Sequence, residues 1–137
     1  MRFKLWTGAL LVCALLAANG VTATAAPKRV FKGSTAQDRG IRVAVGERSI
    51  QIKRFKIELN CRDGSILVLD ESGFLRTKVR GNGSFRDVQY GRTDTVYIRG
   101  KMRGKVVRGR LRVKDRLKKG TRCRSKWVRF TAKPRGR

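Results

Sequence analysis

The stretch that decides the fold is "VYIRGKMRGKVVRGRLRVKD", residues 96–115, in which apolar and cationic residues alternate. Alternation with a period of two is typical of a β-strand that buries one face. Gly104 and Lys105 suit the centre of a two-residue type II′ turn, because glycine tolerates the positive φ of the first position. The stretch is therefore predicted to form a hairpin with an apolar inner face and an outer face of almost pure Arg and Lys.

This turn also predicts which residues lie opposite one another across the hairpin. Gly100 and Gly109 are predicted to face each other, and they either leave room for a bulky side chain from the opposite layer or mark a bend in a closing sheet. The predicted pairs are Met102 with Val107, Gly100 with Gly109, Ile98 with Leu111 and Val96 with Val113 on the inner face, and Lys101 with Arg108, Arg99 with Arg110 and Tyr97 with Arg112 on the outer face.

The period of two continues through the rest of the chain from Phe31, with glycine-containing turns between the strands. In "IQIKRFKIELNC" (50–61) the apolar residues change parity partway, which predicts a β-bulge near Lys53 and Arg54. No segment after residue 25 has a convincing helical period. We therefore predict an all-β fold, an antiparallel β-sandwich or flattened barrel of about seven or eight strands.

The first 25 residues have the features of a secretory signal peptide. Arg2 and Lys4 form a basic start, "LWTGALLVCALLAA" is an apolar run of 14 residues, and Ala23–Ala25 offers a small-x-small cleavage motif. A retained membrane anchor is a weaker alternative, because it needs about 20 apolar residues. Lipidation of Cys13 is also weaker, because Val12 stands where a small residue is required.

The predicted organisation follows from this cleavage site. We expect a helical signal peptide at 1–25, a single β domain at 26–133 and a basic tail at 134–137. The mature protein would be secreted or lie in the cell envelope, with no membrane span once the signal peptide is removed. Its oligomeric state cannot be deduced from the sequence.

Two cysteines, Cys61 and Cys123, remain after residue 25. In an oxidising compartment an even pair predicts one disulfide. The bridge would close a loop of about 60 residues, which is worth about 4 kcal/mol in the chain-entropy model. A redox or metal pair is the weaker alternative, because there is no CxxC motif and the chain contains no His. We expect no metal and no cofactor.

The positive charge is concentrated toward the C-terminus. The chain has a formal net charge of +26, and residues 99–137 contain 18 Arg and Lys but a single acidic residue, Asp115. Residues 26–98 contain 15 basic and eight acidic residues. Charge that served only solubility could be spread evenly, whereas this concentration predicts a surface patch that attracts anions.

The predicted anion-binding site combines the outer face of the hairpin with the basic loop that follows it. Expected partners are anionic polymers or surfaces such as cell-wall glycans and phosphate-rich polymers. Nucleic acid is less well supported, because only Tyr97, and Trp127 if it lies nearby, would offer stacking surfaces beside the cations. The predicted residues are Arg99, Lys101, Arg103, Arg108, Arg110, Arg112, Lys114, Lys118, Lys119, Arg122 and Lys126.

Catalysis is not expected. The absence of His excludes imidazole-based triads and dyads. Glycan hydrolysis would need two carboxylates facing each other across a cleft, and the spacing of the nine acidic residues identifies no such pair. The alternative to anion binding is a structural or protein-interaction module whose basic face is merely solvated.

Several landmarks resemble a group of uncharacterised small secreted bacterial all-β domains. These landmarks are an F-x-G-x-T opening strand, a Cys that ends the third strand, a G-x(8)-G-x-L-x-V hairpin and a C-x-S-x-W segment near the end. The resemblance implies the β fold and a Cys61–Cys123 bridge, and it implies no activity. The matching residues are Phe31, Gly33 and Thr35; Cys61; Gly100, Gly109, Leu111 and Val113; and Cys123, Ser125, Trp127 and Ala132.

Overall fold

The computed structural model describes residues 28–73, 76–114 and 116–135. The predicted signal peptide and the last two residues of the predicted tail lie outside the described residues. Across the described residues the chain forms eleven strands and no helix, and every strand pairing is antiparallel. The strands are β1 (Arg29–Thr35), β2 (Gly40–Val45), β3 (Ser49–Cys61), β4 (Ile66–Ser72), β5 (Arg76–Lys78), β6 (Ser84–Tyr90), β7 (Thr95–Arg103), β8 (Val106–Lys114), β9 (Arg116–Lys118), β10 (Thr121–Arg124) and β11 (Val128–Pro134).

The strands form one curled sheet in the order β6-β7-β8-β11-β1-β2-β3-β10-β9, with β4 and β5 also paired to the long strand β3. The predicted all-β antiparallel fold is confirmed. The strand number exceeds the predicted seven or eight mainly because the basic loop expected after the hairpin contains two short strands, β9 of three residues and β10 of four. Such short strands show too little alternation to be recognised in the sequence.

The predicted hairpin is β7–β8, and its register is confirmed at every predicted pair. Gly104 adopts a φ of 55° while Lys105 keeps a negative φ, as a type II′ turn requires. The inner face packs into the core, where Val107, Leu111 and Val113 are almost completely buried. Strands β6 and β11 flank the hairpin on its two sides.

The predicted bulge is also confirmed. Arg42 of β2 pairs with Arg54 of β3, whereas the next residue, Val43, pairs with Ile52. Lys53 is therefore the extra residue, and Lys53 and Arg54 are both exposed. The bulge allows the apolar residues on either side of it to face the same core despite their change of parity.

Bulky side chains occupy the space over the facing glycines, and they come from neighbouring strands of the same sheet rather than from an opposite layer. Phe85 of β6 lies beside Gly100, and Phe130 of β11 lies beside Gly109. A Cβ on Gly100 would stand 2.5 Å from Cζ of Phe85, and one on Gly109 would stand 2.6 Å from Cζ of Phe130. Both phenylalanines are buried in the core. The glycines thus leave room for two aromatic rings close to the hairpin backbone.

Specific bonds hold the curled sheet together. The Cys61–Cys123 disulfide is present and joins two residues that lie opposite each other on β3 and β10. The Thr77 hydroxyl donates a 2.7 Å hydrogen bond to Asp87, which connects β5 to β6. Two further hydrogen bonds join Val113 of β8 to Ser125: the Val113 amide donates to the Ser125 hydroxyl, and the Ser125 amide donates to the Val113 carbonyl, each at 2.9 Å.

Candidate functional site

A row of four arginines crosses the outer face of four adjacent strands. Arg99 of β7 lies opposite Arg110 of β8, as predicted. Arg86 of β6 lies opposite Arg99, and Arg129 of β11 lies opposite Arg110. All four side chains are exposed. Since neighbouring strands are about 4.8 Å apart, this arginine row extends over about 14 Å.

A parallel line of residues lies two positions further along each strand. It consists of Ser84, Lys101, Arg108 and Thr131, which are directly opposite one another in turn. Between this line and the arginine row runs an open groove of ≈ 580 Å³, which we call the arginine groove. Its lining residues are Arg80, Ser84, Phe85, Arg86, Arg99, Gly100, Lys101, Arg108, Gly109, Arg110, Arg129, Phe130 and Thr131.

The charge of the arginine groove is not neutralised from within. Seven of its lining residues are Arg or Lys, and none of those that the structure describes is Asp or Glu. Like charges directly opposite each other destabilise a strand pair by up to about 1 kcal/mol. The three adjacent pairs of the arginine row therefore oppose folding by on the order of 1–3 kcal/mol at low salt. An anion in the groove would remove this repulsion.

Next to the arginine row, cations pack against two aromatic rings. The guanidinium carbon of Arg99 lies 4.4 Å from the ring centroid of Trp127. The guanidinium carbon of Arg112 lies 4.9 Å from the centroids of both Tyr97 and Trp127. The two rings meet edge to face with centroids 6.5 Å apart. These four residues form the aromatic ridge, in which cation–π attraction holds two guanidinium groups in place.

A second groove of ≈ 490 Å³ opens beside the aromatic ridge and is called here the tryptophan groove. The half-buried ring of Trp127 lines it. Nε of Arg112 is buried there without a hydrogen-bond partner among the described residues. The lining residues are Asn60, Arg112, Lys114, Arg124, Ser125, Lys126 and Trp127.

The structure brings most of the predicted site residues together. Arg99, Lys101, Arg108 and Arg110 line the arginine groove. Arg112, Lys114 and Lys126 line the tryptophan groove. Arg103 lies at the hairpin tip, where it shares a smaller concavity with Lys101 and Arg108.

The remaining predicted residues belong to the short hairpin β9–β10. Lys118 ends β9, Lys119 lies in the turn with a φ of 48°, and Arg122 is an exposed residue of β10. Lys118 is close enough to Asp63 to contribute to the lowered pKa of that carboxyl, whose main cause is the hydrogen bond from the Ser65 hydroxyl. These three cations are not among the residues that line either groove.

Sequence reasoning missed Arg80, Arg86 and Arg129 as members of the site. Arg86 and Arg129 alternate with buried phenylalanines in "SFRDV" and "WVRFT", so their outward orientation could have been predicted. Their positions beside the hairpin could not, because strand order is not encoded in local alternation. The strand that pairs with each edge of the hairpin depends on closure of the whole sheet.

Four described cations outside the two grooves, Arg39, Arg54, Lys56 and Arg116, have carboxylate partners. The Arg54 guanidinium donates hydrogen bonds of 2.7 and 2.6 Å to the two oxygens of Asp70, and these lower the pKa of Asp70 to about 2. Arg39 pairs with Glu58. The guanidinium of Arg116 lies 3.2 Å from Asp94 and 3.4 Å from Glu71. Glu58, Asp70, Glu71 and Asp94 thus form local ion pairs, and those pairs lie outside the two grooves.

A second row of cations crosses β11, β1, β2 and β3 on the outer face. Lys133 lies opposite Lys32, Lys32 opposite Arg42, and Arg42 opposite Arg54. This row ends in the Arg54–Asp70 pair and is therefore partly neutralised. Its existence shows that the cationic surface extends beyond the hairpin.

Across residues 28–73, 76–114 and 116–135, no three His, Cys, Asp or Glu side chains cluster closely enough to hold a metal ion. The same residues include no helix that is long and apolar enough to cross a membrane. No protein-family model matches the chain, and neither a curated protein nor a solved structure shows significant similarity to it. The resemblance to small secreted β-domains stays a prediction, although the disulfide it implies is present.

Proposed function

We propose that this protein is a secreted, non-catalytic module that binds anionic polymers through the arginine groove. The binding is electrostatic and requires no cofactor. The polymer lies across the strands, so that its charges meet the arginine row on one side and the pair Lys101 and Arg108 on the other. The cations at the hairpin tip and on β9–β10, which are Arg103, Lys118, Lys119 and Arg122, add electrostatic attraction at longer range.

The arginine row is the observation that carries this proposal. Four guanidinium groups on four adjacent strands are in direct register, although each neighbouring pair repels. Arg116 and Arg54 each have a carboxylate partner, whereas the lining of the arginine groove, as far as the structure describes it, has none. A polyanion supplies the missing negative charge.

Arginine is well suited to this role. Its planar guanidinium donates two parallel hydrogen bonds to one phosphate, sulfate or carboxylate group. Six of the seven cations in the groove are arginines. Contact with six or more phosphates would make the affinity fall by about a thousandfold or more between about 50 and 200 mM salt.

Retention on immobilised heparin and on phosphocellulose, measured over a series of salt concentrations, tests the proposal. The double variant Arg99→Glu/Arg110→Glu places two carboxylates at the centre of the arginine row. We expect it to elute at a much lower salt concentration than the unchanged protein.

A matched control reverses two exposed arginines outside both grooves, Arg48 and Arg76. The double variant Arg48→Glu/Arg76→Glu has the same net charge as the groove variant. It should elute close to the unchanged protein. Equal losses in the two double variants would mean that only net charge matters, and full retention of the groove variant would favour a merely solvated face.

A further inference from the structure

We infer that the polymer bound in the arginine groove is a single-stranded nucleic acid whose bases stack in the tryptophan groove. This inference rests on the proposed function, because the phosphates of the strand occupy the arginine groove. It adds a second element, recognition of unpaired bases by the aromatic ridge. Proteins that bind single strands without sequence preference combine these two elements.

The first support is the position of Trp127. Its ring is half-buried, so part of it remains accessible, and it lines an open groove whose other walls are mostly cationic. A base that enters this groove can stack on the indole while the flanking phosphates meet Lys114, Arg124 and Lys126. Stacking of this kind contributes about 1–3 kcal/mol per base.

The second support is the way the two grooves share residues. Arg99 lines the arginine groove, and its guanidinium also packs against the Trp127 ring. Arg112 packs against the same ring and lines the tryptophan groove. A phosphate on Arg99 and a base on Trp127 are therefore close enough to belong to neighbouring parts of one strand.

The third support is the packing of the guanidinium groups of Arg99 and Arg112 against aromatic rings. Because Arg99 and Arg112 pack against aromatic rings, the motion of their guanidinium groups is restricted, and these planar groups can themselves act as stacking surfaces for bases. Nε of Arg112 is buried and has no hydrogen-bond partner in the part of the chain that the structure describes. The exposed amide side chain of Asn60 adds a donor and an acceptor at the same groove. A glycan without bases would leave the stacking surfaces unused.

The test compares two ligands that differ only in their bases: fluorescently labelled oligothymidylate of about 12 nucleotides, within the usual range of site sizes, and an abasic phosphodiester chain of equal length. The protein is produced from the full coding sequence with Trp6→Phe, so that Trp127 is its single tryptophan whether or not the N-terminal segment is retained. Oligothymidylate should bind about 5- to 150-fold more tightly than the abasic chain, which is the gain expected from one stacked base. It should also quench the fluorescence of Trp127.

The variant Trp127→Ala should lose this preference for bases, with a much smaller loss of affinity for the abasic chain because Arg99 is no longer held against the indole. Trp127→Tyr should restore part of the preference. Anisotropy of the labelled ligand measures the affinity of each variant for the two ligands. Circular dichroism checks that each variant is folded. Equal affinity for the two ligands would overturn the inference and leave the proposed function standing. Binding of neither ligand, together with no retention on heparin, would overturn both.

Discussion

The guanidinium of Arg99 packs 4.4 Å from the ring centre of Trp127, and this contact joins the arginine groove, which Arg99 lines, to the tryptophan groove, which Trp127 lines. Arg112 contacts the same ring from the neighbouring strand β8. An exposed arginine ordinarily samples many rotamers, and ordering it on a ligand costs entropy. Contact with the indole restricts that sampling before any ligand arrives, so the side chain is partly preorganised for an anion.

The Arg99–Trp127 contact should be measurable as a coupling energy. We expect a double-mutant cycle of Arg99→Ala and Trp127→Ala to give about 0.5–1 kcal/mol in the free energy of unfolding, the usual value for a cation–π pair near the surface. Urea unfolding of the four proteins supplies the measurement. The same cycle with Arg48→Ala should give no coupling, and a zero value for Arg99 would contradict the contact.

Replacement of Gly109 by a larger residue should lower the free energy of unfolding. In Gly109→Ala the new Cβ would lie 2.6 Å from Cζ of Phe130 and 2.7 Å from the carbonyl oxygen of Arg99. Relief requires movement of the backbone and of a buried ring, so we expect a loss of roughly 1–3 kcal/mol in unfolding free energy. Trimming the ring in Gly109→Ala/Phe130→Leu should not restore full stability, because the clash with the carbonyl persists.

Gly40 provides the comparison for that substitution. It is a strand residue with no atom within 4 Å of the position its Cβ would take. Gly40→Ala should change the urea midpoint little, within about 0.5 kcal/mol. A loss as large as that in Gly109→Ala would show that strand glycines matter here for a reason other than close packing.

The disulfide should supply a large share of the stability. Cys61 and Cys123 are 62 residues apart in the sequence, and Cys123 is fully buried. The variant Cys61→Ala/Cys123→Ala should lose about 2–5 kcal/mol, and the unchanged protein should lose a similar amount in a reducing agent. Thermal unfolding of the variant and of the unchanged protein, each with and without reductant, measures both losses. A melting temperature that is insensitive to reductant would be the contrary result.

The Arg54–Asp70 pair should make stability depend on pH in the acid range. The guanidinium of Arg54 lowers the pKa of Asp70 from its ordinary 3.8 to about 2 in the folded state. Between these two pKa values the unfolded chain binds a proton that the folded chain does not. The contribution of the pair to the free energy of unfolding is therefore present above about pH 4 and is lost as the pH falls toward 2.

Urea unfolding at a series of pH values from about 5 to about 2 measures this contribution. In Asp70→Asn the part of the pH dependence that comes from Asp70 should disappear, so its curve should be flatter than that of the unchanged protein. An identical pH profile in the two proteins would argue against the pair.

The sequence predicted the β7–β8 hairpin pair by pair and located the bulge of β3 near Lys53 and Arg54. Both features depend on contacts between residues close in the chain: a two-residue turn fixes the register of the strands that it joins, and a change of parity marks a bulge. The filling of the space over Gly100 was less well predicted. Phe85 enters from a neighbouring strand, and the sequence did not show which strand that would be.

By itself the sequence determined that the chain forms antiparallel strands, that the hairpin turns its cations outward and that two cysteines are available to pair. Only the tertiary structure decided that β6 and β11 lie beside the hairpin, so that Arg86 and Arg129 extend a pair of arginines into a row. The tertiary structure also placed Trp127 against Arg99. The physical reason is that alternation fixes the face on which a side chain lies, whereas the neighbour of a strand is chosen by the burial of the whole core and the closure of the sheet, to which distant segments contribute together.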